Sequence, residues 1–498
     1  MRMTGALNPP FTSNELYHPQ ASGLCQRLAT RLILKNQTGL ILYLQNFFRW
    51  LRQGGGKRKP LTLAPLPCFP VFRRTTREVK LSVNPVGAAG FVDEERLWQH
   101  HMELARLGAT AQGGVNRQAL STEEVQARKM LSRWAEELQL QTLADDAGNL
   151  FFRRAGAEPD LAPVMTGSHI DSQPTGGKFD GAFGVLAGFE AFRALDEANI
   201  QTRRPIEIAV WMNEEGSRFA PGMMGSEAFT GMRPLNKILE IEDAAGVSVR
   251  VEMKAAQAAT PHAENVPLER PVAAFIEAHI EQGPILEEEE KTIGIVTGIQ
   301  GVRRMRVKVT GEEAHAGTTP RSLRRDAAWE AARMVSALHD GLYVDDDVRF
   351  TIGLIHLQPN VPSVIASEAL FSIDIRHPNS EFLEKLASDV DIICRDQLVS
   401  CEVETWRIAE AESIAFPNEI TDLIEKASNR LDIPNMRIFS GAGHDARQLH
   451  FVCPTGMIFI PCEKGISHNE AENVNSRDLA AGTRVLSEVL IELAERLD

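Results

Sequence analysis

The 498-residue chain lacks the marks of several broad protein classes. Its six cysteines, Cys25, Cys68, Cys394, Cys401, Cys453 and Cys462, are scattered and form no CxxC pair, which argues against a disulfide framework and suits a reducing compartment such as the cytoplasm. No apolar run reaches bilayer length: "GLILYL" (39–44) is too short, and polar residues interrupt its flanks, so no membrane partner is expected. A secretory signal with a small-residue cleavage site is missing, as is any low-complexity tract. Positive charge in excess is missing too. The net charge of −14 argues against a general nucleic-acid binder.

Acid is scarce in one region only. Residues 1–80 hold 13 Lys/Arg against Glu15 and Glu78, a balance of +11 that leaves −25 on the other 418 residues. Such a segment fits an organellar transit peptide or a start placed upstream of the true one, the second being preferred. Residues 1–90 are therefore expected to be a basic extension outside the working fold.

What remains is globular, 43% hydrophobic and 24% charged, and long enough for two or more domains. The stretch "FVDEERLWQHHMELARLG" (91–108) has helical apolar spacing. "LAPVMTG" (161–167) and "IEIAVWM" (206–212) read as strands, and "GVLAGFEAFRAL" (184–195) as a helix. This alternation predicts an α/β fold with a mainly parallel sheet over 91–295, resumed at 409–498 with "GMIFIPC" (456–462) as a core strand. Residues 296–408 follow another order. A strand at Val307 and Val309, a helix near 324–339, the strands "RFTIGLIHL" and "EALFSIDIR", a helix over 380–397 and the strand "CEVETWRIA" give β-α-β-β-α-β, a ferredoxin-like unit inserted in the larger domain.

Chemistry concentrates where strands should end. "TGSHIDSQPTGGKFDGAFGV" (166–185) places His169, Asp171 and Asp180 among glycines before a helix, where short polar residues would ordinarily serve as caps. "NEEGSRF" puts Glu214 and Glu215 after a strand, "FIEAHIEQGP" supplies His279, and "EKGISHNEAE" supplies His468. In open α/β sheets, functional residues gather beyond the carboxyl ends of strands. Imidazoles and carboxylates in this number suit two closely spaced divalent ions, with one acid bridging. Asp171 is placed to orient the His169 imidazole. The tandem acids allow one to bind metal while the other stays free as a base. Taken singly, a HxD pair is mostly chance, Glu214 and Glu215 could be a helix N-terminal pair, and His279 a core histidine.

Five motifs in order, "GSHIDSQPTGGKFDG", "NEEGSRFAP", "HIEQGP", "AHAGTTP" and "SGAGHDA…GISHNEAE", resemble the binuclear zinc amidohydrolase family of N-carbamoyl-L-amino acid hydrolases, β-ureidopropionases and allantoate amidohydrolases. These are relatives of the aminoacylase and carboxypeptidase G type metallopeptidases. The resemblance covers roughly residues 91–498. It implies a zinc-peptidase-like catalytic domain with an inserted lid and dimerisation domain, and a homodimer. It also implies two divalent ions, zinc first, with Mn2+, Co2+ or Ni2+ as alternatives. By the same resemblance Asp180 bridges the ions, His169 and His279 complete one, Glu215 and His468 complete the other, and Glu214 is the general acid/base. His315 would stabilise the oxyanion from the partner chain, Arg376 would bind the substrate carboxylate, and Gln282 and Asn360 would contact the substrate. Relatives carry a second asparagine thirteen residues before the arginine, where this chain has Ser363. The expected reaction is hydrolysis of a carbamoyl C–N bond, of an L-α-amino acid or β-alanine type substrate. The alternatives are allantoate, another acyclic ureide or an N-acyl amino acid, or a carrier of the same fold without turnover.

Overall fold

The computed structural model describes residues 87–496, so the basic segment 1–80 lies outside the described residues. Among the described residues, packing is already present at Ala88, within the span expected to lie outside the fold. Ala88 and Ala89 are buried beside the C-terminal helix Ser476–Glu495, and the Ala89 N–H donates to Glu488 Oε1 at 3.2 Å.

The first strands are β1 (Gln141–Ala144), β2 (Leu150–Arg154), β3 (Val164–His169), β4 (Ile206–Trp211), β5 (Glu264–Asn265), β6 (Ala274–Ile280) and β7 (Ile293–Ile299). A middle group follows: β8 (Gly301–Thr310), β9 (Ala314–His315), β10 (Arg349–Thr351), β11 (Ile355–Gln358), β12 (Val364–Ile365), β13 (Glu368–His377) and β14 (Glu402–Ala411). The last are β15 (Ile414–Ala415), β16 (Asn435–Ser440) and β17 (Thr455–Ile460).

One sheet has ten strands in the order β15-β7-β17-β6-β3-β4-β2-β1-β5, with β16 also on β7. Its centre, β17-β6-β3-β4, is parallel, while β2 and β7 run antiparallel to their inner neighbours. The four central strands are buried along their whole length because helices and loops cover both faces, which is why their sequences read as apolar runs. The helix Ala182–Glu197 is apolar almost all round. It is wedged between the sheet and the helix Ser476–Glu495, and Phe183, Leu186, Phe189 and Phe192 are all buried. The α/β class with a mainly parallel central sheet, as expected, is what the chain adopts.

The second sheet is antiparallel, β10-β13-β8-β14 with β11 also on β13. Its strands alternate: Phe371, Ile373 and Ile375 bury against the helices Ala327–Leu342 and Ser380–Asp396, leaving Asp374 and Arg376 on the opposite face. "RFTIGLIHL" forms two short strands where one was expected. Thr351 faces Asp374 and Ile355 faces Phe371, so the chain takes four steps against three on β13. The extra residue breaks the ladder beside Gly353, as in a bulge. Among the described residues no helix is long and apolar enough to cross a membrane.

Candidate metal centre

His169 and His279 owe their meeting to the pleat and the register. On β3, Met165 and His169 point to one face; on β6, Phe275 and His279 do the same. The parallel pairing of Thr166 with Ile276, continued three residues, sets His169 beside His279, with ring centroids 6.0 Å apart. Asp180 arrives on the loop that opens the helix Ala182–Glu197. There Gly181 takes φ +63°, and a Cβ on it would lie 2.4 Å from the His169 ring. This close approach answers why glycine stands beside the acid.

Around Asp180 the donors converge. Its Oδ1 lies 3.2 Å from His279 Nε2 and 3.7 Å from His169 Nε2, and its Oδ2 lies 3.3 Å from His468 Nε2. His468 Nε2 is also 3.3 Å from Glu215 Oε2. Two triads result, His169–Asp180–His279 and Asp180–Glu215–His468, sharing the aspartate. Neighbouring donors around a tetrahedral ion with bonds of about 2.0–2.1 Å lie roughly 3.4 Å apart, so these separations fit. The outer nitrogens agree: Nδ1 of His169 donates to the Asp171 carbonyl (3.0 Å) and Nδ1 of His279 to the Ile280 carbonyl (2.9 Å), leaving each Nε2 turned toward the acid.

Charge supplies a second test of fit. Asp171, Asp180, Glu214 and Glu215 sit together, nearly buried, with Glu277 and Asp445 behind them. Burial pushes Asp171 up to about 6 and Glu215 up to about 8. Glu214 rises well above the usual carboxylate range, from burial first and then from Asp445, Glu215, Asp171 and Asp180. Burial would raise Asp180 as well, but hydrogen bonds with His279 and His468 hold it well below the usual range. Burial lowers His169 to about 4. His279 would fall likewise, yet Asp180 lifts it to about 9, and a hydrogen bond to Asp180 carries His468 to about 9. The Gly181 N–H, 3.2 Å from His279 Nε2, needs a lone pair there, while Asp180 favours a proton on the same atom. A proton and a cation thus compete for one position. Buried acid in this excess calls for positive charge.

Glu214 Oε2 lies 3.6 Å from His169 Nε2, at the edge of the donor set. The Asp171 carboxylate does something other than expected. It stands 3.6 Å from His169 Nδ1, beyond a hydrogen bond, and instead accepts the Glu214 and Glu215 N–H groups at 3.2 and 3.1 Å. It fixes the turn that presents the two glutamates, while its backbone carbonyl orients the imidazole.

A cavity of about 470 Å³ opens on this cluster, lined by Glu214, Glu215, His468, Gln282, Arg304 and Arg376 among others. Gln282 Nε2 donates to Asp180 Oδ2 at 2.9 Å, and its Oε1 is buried with no hydrogen-bond partner among the described residues. Arg376 gives Nε and Nη2 to Asp374 (2.9 and 3.3 Å) and Nη1 to the Gly441 carbonyl (2.7 Å). His315 and Asn360 lie elsewhere. His315 is exposed on β9, its Nδ1 accepting the Gly317 and Thr318 N–H groups at 3.0 and 3.1 Å. Asn360 lines a separate cavity of about 350 Å³ with Ala316. The Ala316 N–H donates to the Ser363 carbonyl at 3.0 Å, which puts Ser363 beside His315.

Sequence reasoning passed over Gln173, which donates to Glu215 Oε2 at 2.7 Å, and Glu472, which accepts the Asp180 N–H at 3.1 Å. Both stood inside motifs already singled out. Their contacts, 42 and 292 residues distant in sequence, left no spacing signal.

Fold and site define the class, an α/β protein with a candidate two-ion centre at the carboxyl ends of its parallel strands. The pattern of Peptidase family M20/M25/M40 matches residues 165–492. The chain belongs to that family, whose members are metal-dependent. It is 37% identical over 409 residues to an N-carbamoyl-L-amino-acid amidohydrolase of Rhizobium meliloti, covering 81% of this chain and 97% of the relative. It is 34% identical over 396 residues to an allantoate amidohydrolase of Escherichia coli (strain K12), covering 78% and 96%. Its structure is similar to an amidase of the hydantoinase/carbamoylase family from Burkholderia multivorans, with TM-score 0.76 and 42% identity over 82% of this chain and 99% of the other.

Proposed function

We propose that this protein is an amidohydrolase that cleaves the carbamoyl C–N bond of an N-carbamoyl amino acid, giving the amino acid, carbon dioxide and ammonia. The observation that carries the reading is one shared cavity, lined by both the imidazole–carboxylate cluster and Arg376. His169, Asp180 and His279 would hold one divalent ion, and Asp180, Glu215 and His468 the other, zinc being the first choice. When bound, such ions supply Lewis acidity that brings the pKa of water to about 7. Glu214 takes the proton of the attacking water and returns it to the leaving nitrogen. Asp171 holds Glu214 for that task through the backbone N–H. Gln282 lines the cavity and gives Nε2 to Asp180, which places it to contact the ureido end of the substrate. Asp374 takes Nε and one N–H of Nη2, and the Gly441 carbonyl takes one N–H of Nη1, so one N–H on each terminal nitrogen is left for the substrate carboxylate.

Residues 296–408 serve as the ferredoxin-like lid and dimer contact in this reading. His315 Nδ1 accepts two N–H groups, so its proton sits on Nε2 as an exposed donor that suits the oxyanion in a partner's cavity. Asn360 and Ser363 flank the same surface. With Ser363 in place of the relatives' asparagine, either a water fills the gap or the substrate is not a standard carbamoyl amino acid, and the second reading is hydrolysis of allantoate or another acyclic ureide. The test is a panel of N-carbamoyl-L-α-amino acids, N-carbamoyl-β-alanine, allantoate and N-acetyl amino acids, assayed for ammonia and free amine. Product from the carbamoyl amino acids is expected. Ammonia from allantoate alone would replace the first reading by the second, and no product from any would refute both.

A further inference from the structure

We infer that Glu472 is a positioning residue: it sets the distance between Asp180 and His468, and with it the affinity of the Asp180–Glu215–His468 group for its ion. The inference rests on reading that group as metal-holding. Asp180 and His468 come from segments almost three hundred residues apart, and neither belongs to a strand. Something must tie the two loops together. Glu472 is 1% exposed and lies between them. Its Oε1 accepts the Phe179 and Asp180 N–H groups at 2.9 and 3.1 Å, fixing the backbone that carries the shared aspartate. Its Oε2 is 3.0 Å from the Ser467 hydroxyl, on the residue preceding His468. That hydroxyl is also 3.1 Å from Asp180 Oδ2, so the two loops close on each other through one serine.

The surroundings are shaped for the carboxylate. A Cβ at Gly177 would lie 1.9 Å from Glu472 Cδ, so this glycine leaves the space that the acid fills. His468, by contrast, has a half-exposed side chain and a φ of +51°. The imidazole with the least packing around it therefore depends most on the tie. His169 and His279 are held by buried strands and their own carbonyl partners, so loss of Glu472 falls mainly on the group containing His468.

The test uses the metal-stripped full chain and zinc, with the two successive affinities read by competition against a chromophoric chelator. In Glu472→Ala the weaker event is expected to lose about 10–100-fold in affinity. Gly177→Ala, which displaces the carboxylate while keeping it, is expected to reproduce that loss. In Glu472→Gln most of the affinity is expected to return, since an amide oxygen can still accept the Phe179 and Asp180 N–H groups. Should Glu472→Ala not fold, the other two variants decide. Unchanged affinities in Glu472→Ala or Gly177→Ala overturn the inference and leave the two-ion reading standing. Wild-type protein that binds no divalent ion overturns both.

Discussion

At the residue scale, the centre is built from acids that do different work according to their surroundings. Hydrogen bonds with His279 and His468 hold Asp180 low against its burial, whereas burial and then the Asp180 charge carry Glu215 up to about 8. His279 and His468 stand near 9. At pH 7 protons on Glu215 and His468 are therefore expected in the metal-free protein, with His279 Nε2 contested between a proton and the Gly181 N–H, and an ion would have to expel them. A group raised above the working pH gives up its proton more readily as pH rises, so affinity should climb from pH 6 to 9. Calorimetry of zinc uptake at pH 7, in buffers of differing ionisation heat, should show release of about two to three protons. Heats that do not depend on the buffer would contradict this. The donors themselves were legible in the sequence, since His169, Asp180, Glu215, His279 and His468 all fall where strands end or loops begin. The task of the Asp171 carboxylate was not. It depends on where a turn 43 residues away folds back, and no local pattern encodes that return.

At the element scale, the parallel strands β3 and β6 carry two of the candidate ligands, loops carry the others, and a glycine lets them approach. The strands β3, β4 and β17 overlap the runs read as strands from the sequence, and the helix Ala182–Glu197 lies close to its expected span. Their order was not legible, because β17 lies parallel to β6 and antiparallel to β7, and pairing partners distant in sequence leave no periodicity. The split of "RFTIGLIHL" escaped for a related reason: a bulge is a count against a partner strand, not a pattern within one. Gly181→Ala tests the packing of this layer. Its Cβ would strike the His169 ring, and φ +63° is unfavourable for alanine. A loss of about 1–3 kcal/mol in stability is expected, together with weaker metal binding. Denaturant unfolding and chelator competition read these separately, and a variant that matches wild type in both would refute the close-approach argument.

At the scale of the whole molecule, His315 does not line the cavity of its own chain, and the proposed role for it would call on a second copy. Mixed dimers test this. Chains carrying Glu214→Gln and chains carrying His315→Ala should each be nearly inactive alone. If His315 serves the partner's site, random mixing rebuilds one intact site in every mixed dimer, and about one quarter of wild-type activity returns. No recovery would place His315 in its own chain's chemistry, or outside the chemistry altogether. The second sheet and its separate core could be read from sequence, whereas an assembly that joins two copies leaves no mark in the spacing of one. The central claim, that this chain hydrolyses a carbamoyl bond with two divalent ions, is met most directly by one titration. Chelator-stripped protein receives zinc in steps while ammonia from an N-carbamoyl-L-amino acid is followed. The account predicts no turnover without metal and full turnover near two equivalents. Full turnover by the stripped protein would contradict it.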